Sequence, residues 1–168
     1  MTEQTNIPIN GAEIALREVE ENDFPFLLEL YASTRADEMA LVPWSDEEKR
    51  QFLTMQFHAQ HTYYMEHYTE ATFDLMLWQG QPIGRLYVEE WPTELRIIDI
   101  ALLPAYRGRG AGTYFLKKLM QRAGAIGKGV SIHVETNNPA MELYRRLQFK
   151  KVGEHGLYDL MEWNPASP

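Results

Sequence analysis

The segment from Leu102 to Gly112 combines features that suit an anionic ligand; it reads L-L-P-A-Y-R-G-R-G-A-G. Its glycines let the backbone approach a ligand without a β-carbon in the way, and a following helix would present unpaired N–H groups toward it. Arg107 and Arg109 can add charge-assisted hydrogen bonds to phosphate oxygens. We therefore predict a phosphate-binding loop here. The predicted contacts are Leu102, Leu103, Arg107, Gly108, Arg109, Gly110, Ala111, Gly112 and Thr113.

The distribution of charge supports this prediction. The 168 residues carry a net charge of -8, yet residues 100–134 hold six basic side chains and no acidic one. A basic stretch in an otherwise acidic chain suits an anionic ligand, whereas a nucleic-acid-binding protein would carry an excess of Lys and Arg. Nucleic acid is therefore not an expected partner. For the four basic residues from Lys117 onward we prefer a solvated helix face.

Two better-known phosphate motifs do not fit the loop. No Lys-Ser or Lys-Thr pair follows the glycines, as a nucleoside-triphosphate loop requires, and Thr113 stands where a dinucleotide motif needs Gly or Ala. Metal binding is not expected either. The chain has no cysteine, and His58 and His61 lack the spacing of the known zinc-protease motifs.

Length and composition predict one domain over residues 1–168, with its core at about residues 12–163 and flexible ends at 1–10 and 164–168. No apolar run of roughly 18 residues occurs, and Met1 to Asn10 is polar, so neither a membrane span nor a signal peptide is expected. Together with the absence of cysteine, this favours a cytoplasmic protein. A monomer and a homodimer remain alternatives.

Hydrophobic periodicity predicts an α/β (α+β) fold. It consists of a mixed, mostly antiparallel sheet of six to seven strands with helices on both faces. The run from Leu95 to Leu103 is too apolar for an edge strand, and the helix after it should cross over to a parallel strand at Val130 to Glu135. Ligands of such sheets bind beyond the carboxyl ends of the strands, which places the site at the glycine loop. The predicted strands are Ile14–Arg17, Phe73–Trp78, Ile83–Glu90, Leu95–Leu103, Val130–Glu135, Phe149–Val152 and Leu157–Trp163; the predicted helices begin near Phe24, Ser45, Gly110 and Pro139.

Two motifs carry a resemblance to a known family. Arg107, Gly110 and Gly112 match the signature of the GNAT superfamily of acetyl-CoA-dependent N-acetyltransferases, in which Arg or Gln is followed by two residues, Gly, one residue and Gly or Ala. Residues 137–149, N-N-P-A-M-E-L-Y-R-R-L-Q-F, resemble its second segment, Asn-x-x-Ala-x-x-Leu-Tyr-x-x-Leu-Gly-Phe. The resemblance covers about residues 72–163. Gln148 stands where the family usually has Gly, at a helix end that often requires positive φ, which predicts local strain or a different turn.

The resemblance implies a GNAT-like fold and a direct transfer of acetyl from acetyl-CoA to an amine, with backbone N–H near Leu102 stabilising the oxyanion. It further implies that Tyr144 is the general acid for the leaving thiolate and that Asn137 contacts the pantetheine or orients the tyrosine. Tyr144 has an alternative interpretation as a packing residue of an amphipathic helix. The implied partner is a small-molecule or protein amine, and the acidic first 99 residues favour a cationic one. A non-catalytic acyl-CoA sensor is the alternative function.

The general base is less well defined by the sequence. His133 and Glu135 share one face of a strand, because side chains two positions apart point the same way. Asp99 is the lone acidic residue in an apolar strand, where burial would raise its pKa. We rank His133 and Glu135 slightly ahead of Asp99. Because the second long helix could flank the acceptor, four residues are predicted acceptor contacts: Arg35, Glu38, Trp44 and Tyr64.

Overall fold

A computed structural model describes residues 8–9 and 11–166. Their centre is a seven-stranded sheet with the strand order β1-β2-β3-β4-β5-β7-β6. The strands are β1 (Ile14–Glu18), β2 (Thr72–Trp78), β3 (Gln81–Glu90), β4 (Glu94–Leu102), β5 (Gly129–Glu135), β6 (Lys150–His155) and β7 (Tyr158–Trp163). The helices are α1 (Phe24–Thr34), α2 (Ala36–Ala40), α3 (Asp46–His67), α4 (Ala111–Ala125) and α5 (Met141–Arg146). Of the ends predicted to be flexible, residues 1–7, 10, 167 and 168 lie outside the described residues.

The sheet confirms the predicted topology. Strands β1 to β4 form an antiparallel meander, β4 pairs in parallel with β5 through the α4 crossover, and β7 and β6 complete the sheet in antiparallel orientation. The apolar strand β4 is the fourth of the seven, as its composition predicts. Its central position brings its carboxyl end, and the loop that follows, to the middle of the molecule.

The parallel pair β4 and β5 is joined along only part of its length. The register runs from Glu94 opposite Gly129 to Ile97 opposite Ile132, although both strands continue beyond those residues. On the other side of β4, Val88 pairs with Ile97 while Tyr87 pairs with Asp99, so that Ile98 forms a β-bulge. A bulge bends and twists its strand. The two strands therefore part after Ile97 and leave an opening between their carboxyl ends.

Helices cover both faces of the sheet, as predicted. One core lies between the sheet and α4 and α5, and it includes Met76, Phe115 and Tyr144. The other lies beneath α1 to α3 and includes Leu75 and Phe57. Adjacent residues of β2 enter opposite cores because side chains alternate along a strand. The short α2 was not predicted, since five residues are too few to show helical periodicity.

The start of α3 and the end of α5 are both formed by a few neighbouring residues. The helix α3 begins next to Ser45, as predicted, and Ser45 and Glu48 form a capping box in which each side chain accepts a hydrogen bond from the other's backbone N–H at 3.1 Å. At the end of α5, Gln148 adopts a left-handed φ of 71°. The Phe149 N–H bonds the Tyr144 carbonyl at 2.9 Å, which is the turn that glycine usually closes. Gln148 therefore forms the usual turn, in a backbone conformation that is strained for a residue with a β-carbon.

Candidate active site

The predicted phosphate loop connects the carboxyl end of β4 to the start of α4. Gly108 and Gly110 have φ values of 69° and 96°, in the left-handed region that strongly favours glycine. Gly110 is the N-cap of α4, so the N–H groups at the start of that helix have no carbonyl partner within it. These N–H groups and the positive end of the helix dipole lie beside the opening between β4 and β5, an arrangement that suits an anion.

The two arginines of the loop lie in different surroundings. Arg107 is exposed, and its Nε donates to the Leu102 carbonyl at 2.9 Å, which directs the guanidinium along the loop. Arg109 is buried, donates to the Ala105 carbonyl at 3.2 Å, and packs over the rings of Trp78 and Tyr106 at 5.0 and 5.6 Å. Arg107 is thus placed to reach a ligand, whereas Arg109 supports the loop from within.

Tyr144 lies on α5, beyond the end of β5, and is only 4% exposed. Its ring packs on Phe149 with centroids 5.5 Å apart, while its hydroxyl makes no hydrogen bond within the described part of the chain. Burial and the negative charge of Asp99 raise the pKa of Tyr144 above its usual value. The hydroxyl therefore keeps its proton at neutral pH and has that proton available for a ligand.

The turn before α5 holds the two motif asparagines. Asn138 caps the turn, since its Oδ1 accepts from the Ala140 N–H at 2.9 Å. The helix begins at Met141, slightly later than predicted from Pro139, because residues 139 and 140 form a separate turn. Asn137 is exposed, and its side chain makes no hydrogen bond with the described residues, which leaves its amide available to a ligand.

Asp99 lies at the centre of a buried polar network. Tyr64 of α3 donates to Asp99 Oδ2 at 2.8 Å, and Arg85 of β3 donates to the same oxygen at 2.6 Å. Arg85 also donates to Gln60 Oε1 at 2.9 Å. Burial and the Asp99 carboxylate raise the pKa of Tyr64 above its usual value. The other carboxylate oxygen, Oδ1, accepts no hydrogen bond from the described residues.

Arg85 is the main residue of this site that the sequence analysis missed. It is only 3% exposed, and its Nε is a buried donor without a partner among the described residues. A signal was present, because Arg85 is a lone charge in the apolar part of β3 just as Asp99 is in β4. The cross-strand register, with Arg85 opposite Ala101, was needed to place the two charges together.

His133 and Glu135 share one face of β5, as predicted, and both are exposed. The ring of His133 is held by Arg96, whose Nη1 lies 3.1 Å from His133 Nδ1. Arginine can only donate, so Nδ1 accepts this bond and the proton of the neutral ring resides on Nε2. Burial, Arg96 and His155 lower the pKa of His133 below its usual value. An Nε2 that already carries a proton cannot accept another from an amine.

The four predicted acceptor contacts do not form one site. Arg35 and Glu38 pair with each other at 2.8 Å at the junction of α1 and α2, and Trp44 packs on Phe52 with centroids 5.2 Å apart. Tyr64 is near the opposite end of α3 from Trp44, which corresponds to about 27 Å along a helix axis. Only Tyr64 joins the network around Asp99.

No group of three or more His, Asp or Glu side chains in residues 8–9 and 11–166 is arranged to hold a metal ion. Within the same residues, no helix combines the length and the apolar character that crossing a membrane requires.

The parted parallel strands are flanked by the glycine loop at the end of β4 and by the buried tyrosine beyond β5. The model of the Acetyltransferase (GNAT) family matches residues 25–149, and the chain belongs to this family. The match includes the glycine loop and the segment that contains Tyr144.

Individual relatives agree with this family. The chain is 29% identical over 107 residues to an N-alpha-acetyltransferase of Sulfurisphaera tokodaii, a match covering 54% of this chain and 64% of that protein. The chain thus spans less than two thirds of the length of the curated relatives it matches. Among solved structures, the PaiA N-acetyltransferase of Thermoplasma acidophilum in complex with coenzyme A superposes with a TM-score of 0.69 at 16% identity, covering 90% of this chain and 99% of that one. An acetyltransferase of Salmonella typhimurium that modifies the N-terminal serine of ribosomal protein L7/L12 superposes with a TM-score of 0.61 at 20% identity, covering 95% and 99%.

Proposed function

We propose that this protein transfers the acetyl group of acetyl-CoA to a primary amine, and that its preferred acceptor is the α-amine of a peptide or protein. Membership of the GNAT family supports the reaction class. The acceptor is proposed from relatives named for α-amine acetylation. One observation carries the proposal: the anion-binding loop and the proton-bearing Tyr144 flank the same opening between β4 and β5.

The residues of the loop fit the pyrophosphate of coenzyme A. The N–H groups of Ala111, Gly112 and Thr113 lie at the helix start, and Arg107 is exposed beside them. Leu103 continues β3–β4 pairing, since its N–H donates to the Ile83 carbonyl at 2.9 Å, and this fixes where the loop leaves the sheet. The bound thioester supplies an activated carbonyl carbon for the amine to attack.

Tyr144 is proposed as the general acid. Its raised pKa keeps the hydroxyl protonated, and the absence of a hydrogen-bond partner in the described chain leaves the proton free to move to the departing sulfur. A protein that only senses acyl-CoA has no use for such a proton donor. The free hydroxyl therefore favours the enzyme over the non-catalytic alternative.

Asp99 is proposed as the group that receives the proton of the attacking amine, directly or through a water molecule. Its Oδ2 is held by Tyr64 and Arg85, whereas its Oδ1 has no partner among the described residues. His133 suits this role less well because Arg96 occupies its Nδ1. Glu135 remains a second candidate on the same face as His133 and is likewise exposed.

An acceptor panel tests the proposal. Release of the coenzyme A thiol is followed with acetyl-CoA and, in turn, short peptides with a free α-amine, N-blocked peptides containing lysine, polyamines and an aminoglycoside. We expect the free α-amine peptides to give the highest kcat/KM. Thiol release with polyamines alone would indicate that the acceptor is a small cation. Binding of acetyl-CoA without release on any amine would support the sensor instead.

A further inference from the structure

His133 lies on β5 beside the opening between the two parted strands, where an acceptor can reach it. It is the first residue of β5 after the pairing with β4 ends at Ile132. Its neighbours Ile132 and Val134 are buried in the core with α4 and α5, so His133 faces the other side of the sheet. Asp99 faces that same side, because it bonds Tyr64 of α3. The two polar groups thus lie on one face, one on each side of the opening.

Arg96 is itself anchored, so it acts as a fixed support for His133. Its side chain is only 11% exposed, and its Nε donates to Ser131 Oγ at 2.8 Å. The guanidinium also lies over the Trp91 ring, 4.5 Å from the centroid. Ser131 and His133 are two positions apart on β5, so one guanidinium bonds both with separate nitrogens. This geometry leaves little freedom for the imidazole to turn.

Protonation of His133 would oppose this arrangement. A proton on Nδ1 would set an N–H donor against the Arg96 donor at 3.1 Å. The charged groups around the ring are Arg96 and Glu94 of β4 and His155 of β6, whose ring centroid is 6.1 Å away; of these only Glu94 would favour an imidazolium. The neutral ring, with its proton on Nε2 and pointing away from Arg96, is therefore the stable form.

We propose that His133 is a specificity-determining residue whose Nε2–H donates to a carbonyl oxygen of the acceptor, and that Arg96 is the positioning residue that holds this tautomer. The substrate class follows from the chemistry. A peptide α-amine has a carbonyl oxygen three bonds from its nitrogen, whereas a polyamine has no hydrogen-bond acceptor besides its amines. This inference rests on the proposed function and identifies what distinguishes its acceptors.

The tautomer can be measured without any acceptor. Long-range ¹H–¹⁵N correlation spectra of the full chain at neutral pH, with His133 assigned from the His133→Gln variant, report which imidazole nitrogen carries the proton. We expect Nε2 protonated and Nδ1 free in the wild type. In Arg96→Met, which keeps a side-chain stem over Trp91, we expect a mixture of tautomers and a higher His133 pKa. An Nδ1–H tautomer in the wild type, or an unchanged spectrum in Arg96→Met, would overturn the positioning by Arg96.

The role toward the acceptor is tested with a matched substrate pair, a short peptide and its analogue whose first carbonyl is reduced to a methylene. One neutral hydrogen bond corresponds to a preference of roughly three- to tenfold in kcat/KM. We expect the wild type to show that preference, His133→Phe to lose it through a higher KM for the peptide, and His133→Gln, whose amide can still donate, to retain part of it. An equal fall in kcat on both substrates in His133→Phe would contradict the donor role and indicate a base. Failure of the wild type to acetylate either substrate would contradict the proposed function itself.

Discussion

Arg85 and Asp99 form an ion pair of 2.6 Å that joins β3 to the bulged part of β4. The bulge at Ile98 is what directs the Asp99 side chain toward Arg85 and the Tyr64 hydroxyl, and all three groups are mostly removed from solvent. The network therefore couples the strand that leads into the glycine loop to the helix that flanks the opening. It also determines which oxygen of Asp99 is left for a substrate.

Removing one member of this ion pair should lower the unfolding free energy. Arg85→Met leaves the Asp99 carboxylate without its cation, and breaking a buried pair in this way costs about 3 kcal/mol of unfolding free energy or more. Urea denaturation measures the change. We expect the double variant Arg85→Met, Asp99→Leu to recover part of the loss, because it removes both buried charges.

Arg146 provides the matched control for that experiment, since it is an exposed arginine of α5 with no ion pair within 4.0 Å among the described residues. Arg146→Met should change the unfolding free energy by no more than about 0.5 kcal/mol. If Arg85→Met lowers the unfolding free energy by no more than Arg146→Met does, the buried pair does not stabilise the fold.

Acetyl-CoA should stabilise the protein through the glycine loop. A ligand at a hundred times its Kd adds about 2.7 kcal/mol to the unfolding free energy, or roughly 5 to 10 °C in Tm for a chain of this size. Arg107→Glu places a negative charge beside the pyrophosphate and should abolish the rise. Arg146→Glu makes the same charge change at the last residue of α5, outside the glycine loop, and should preserve the rise. An equal rise in Tm in both variants would show that Arg107 does not bind the ligand.

Tyr144→Phe should separate binding from turnover. The variant keeps the ring that packs on Phe149 but loses the hydroxyl, so acetyl-CoA should bind with an unchanged Kd. General acid catalysis contributes roughly 10²- to 10⁴-fold, and kcat should fall within that range. Tyr63→Phe, at a tyrosine of α3 that is 50% exposed, is the control and should leave kcat intact. Equal kcat in the two variants would show that Tyr144 only packs.

Gln148→Gly should stabilise the protein. The present φ of 71° costs about 1 kcal/mol for a residue with a β-carbon, and glycine removes that strain. We expect a rise of roughly 2 to 4 °C in Tm. Gln121→Gly, at an exposed position within α4, should instead lower stability by about 1 kcal/mol. A neutral or destabilising Gln148→Gly would show that the turn is not strained.

The features predicted correctly from the sequence are those fixed by neighbouring residues. The start of α3 at Ser45 depends on a few consecutive positions, and the central place of β4 followed from its apolar run. The unusual Gln148 was recognised because its motif position implied positive φ.

The features that escaped prediction depend on contacts between distant segments. Arg85 and Asp99 are 14 positions apart and meet only because of the register of β3 with the bulged β4. Strand alternation placed His133 on the correct face but could not reveal Arg96, which is 37 positions away and fixes its tautomer. The expectation that the second long helix flanks the acceptor grouped Trp44 with Tyr64, although the length of α3 separates them.

The most direct test of the central claim is to locate the transferred acetyl group. A peptide that offers both a free α-amine and a lysine is incubated with the wild-type protein and acetyl-CoA, and tandem mass spectrometry identifies the modified nitrogen while thiol release is counted. We predict one acetyl group on the α-amine for each thiol released. Acetylation of lysine alone, or no acetylation while acetyl-CoA is bound, would contradict the account.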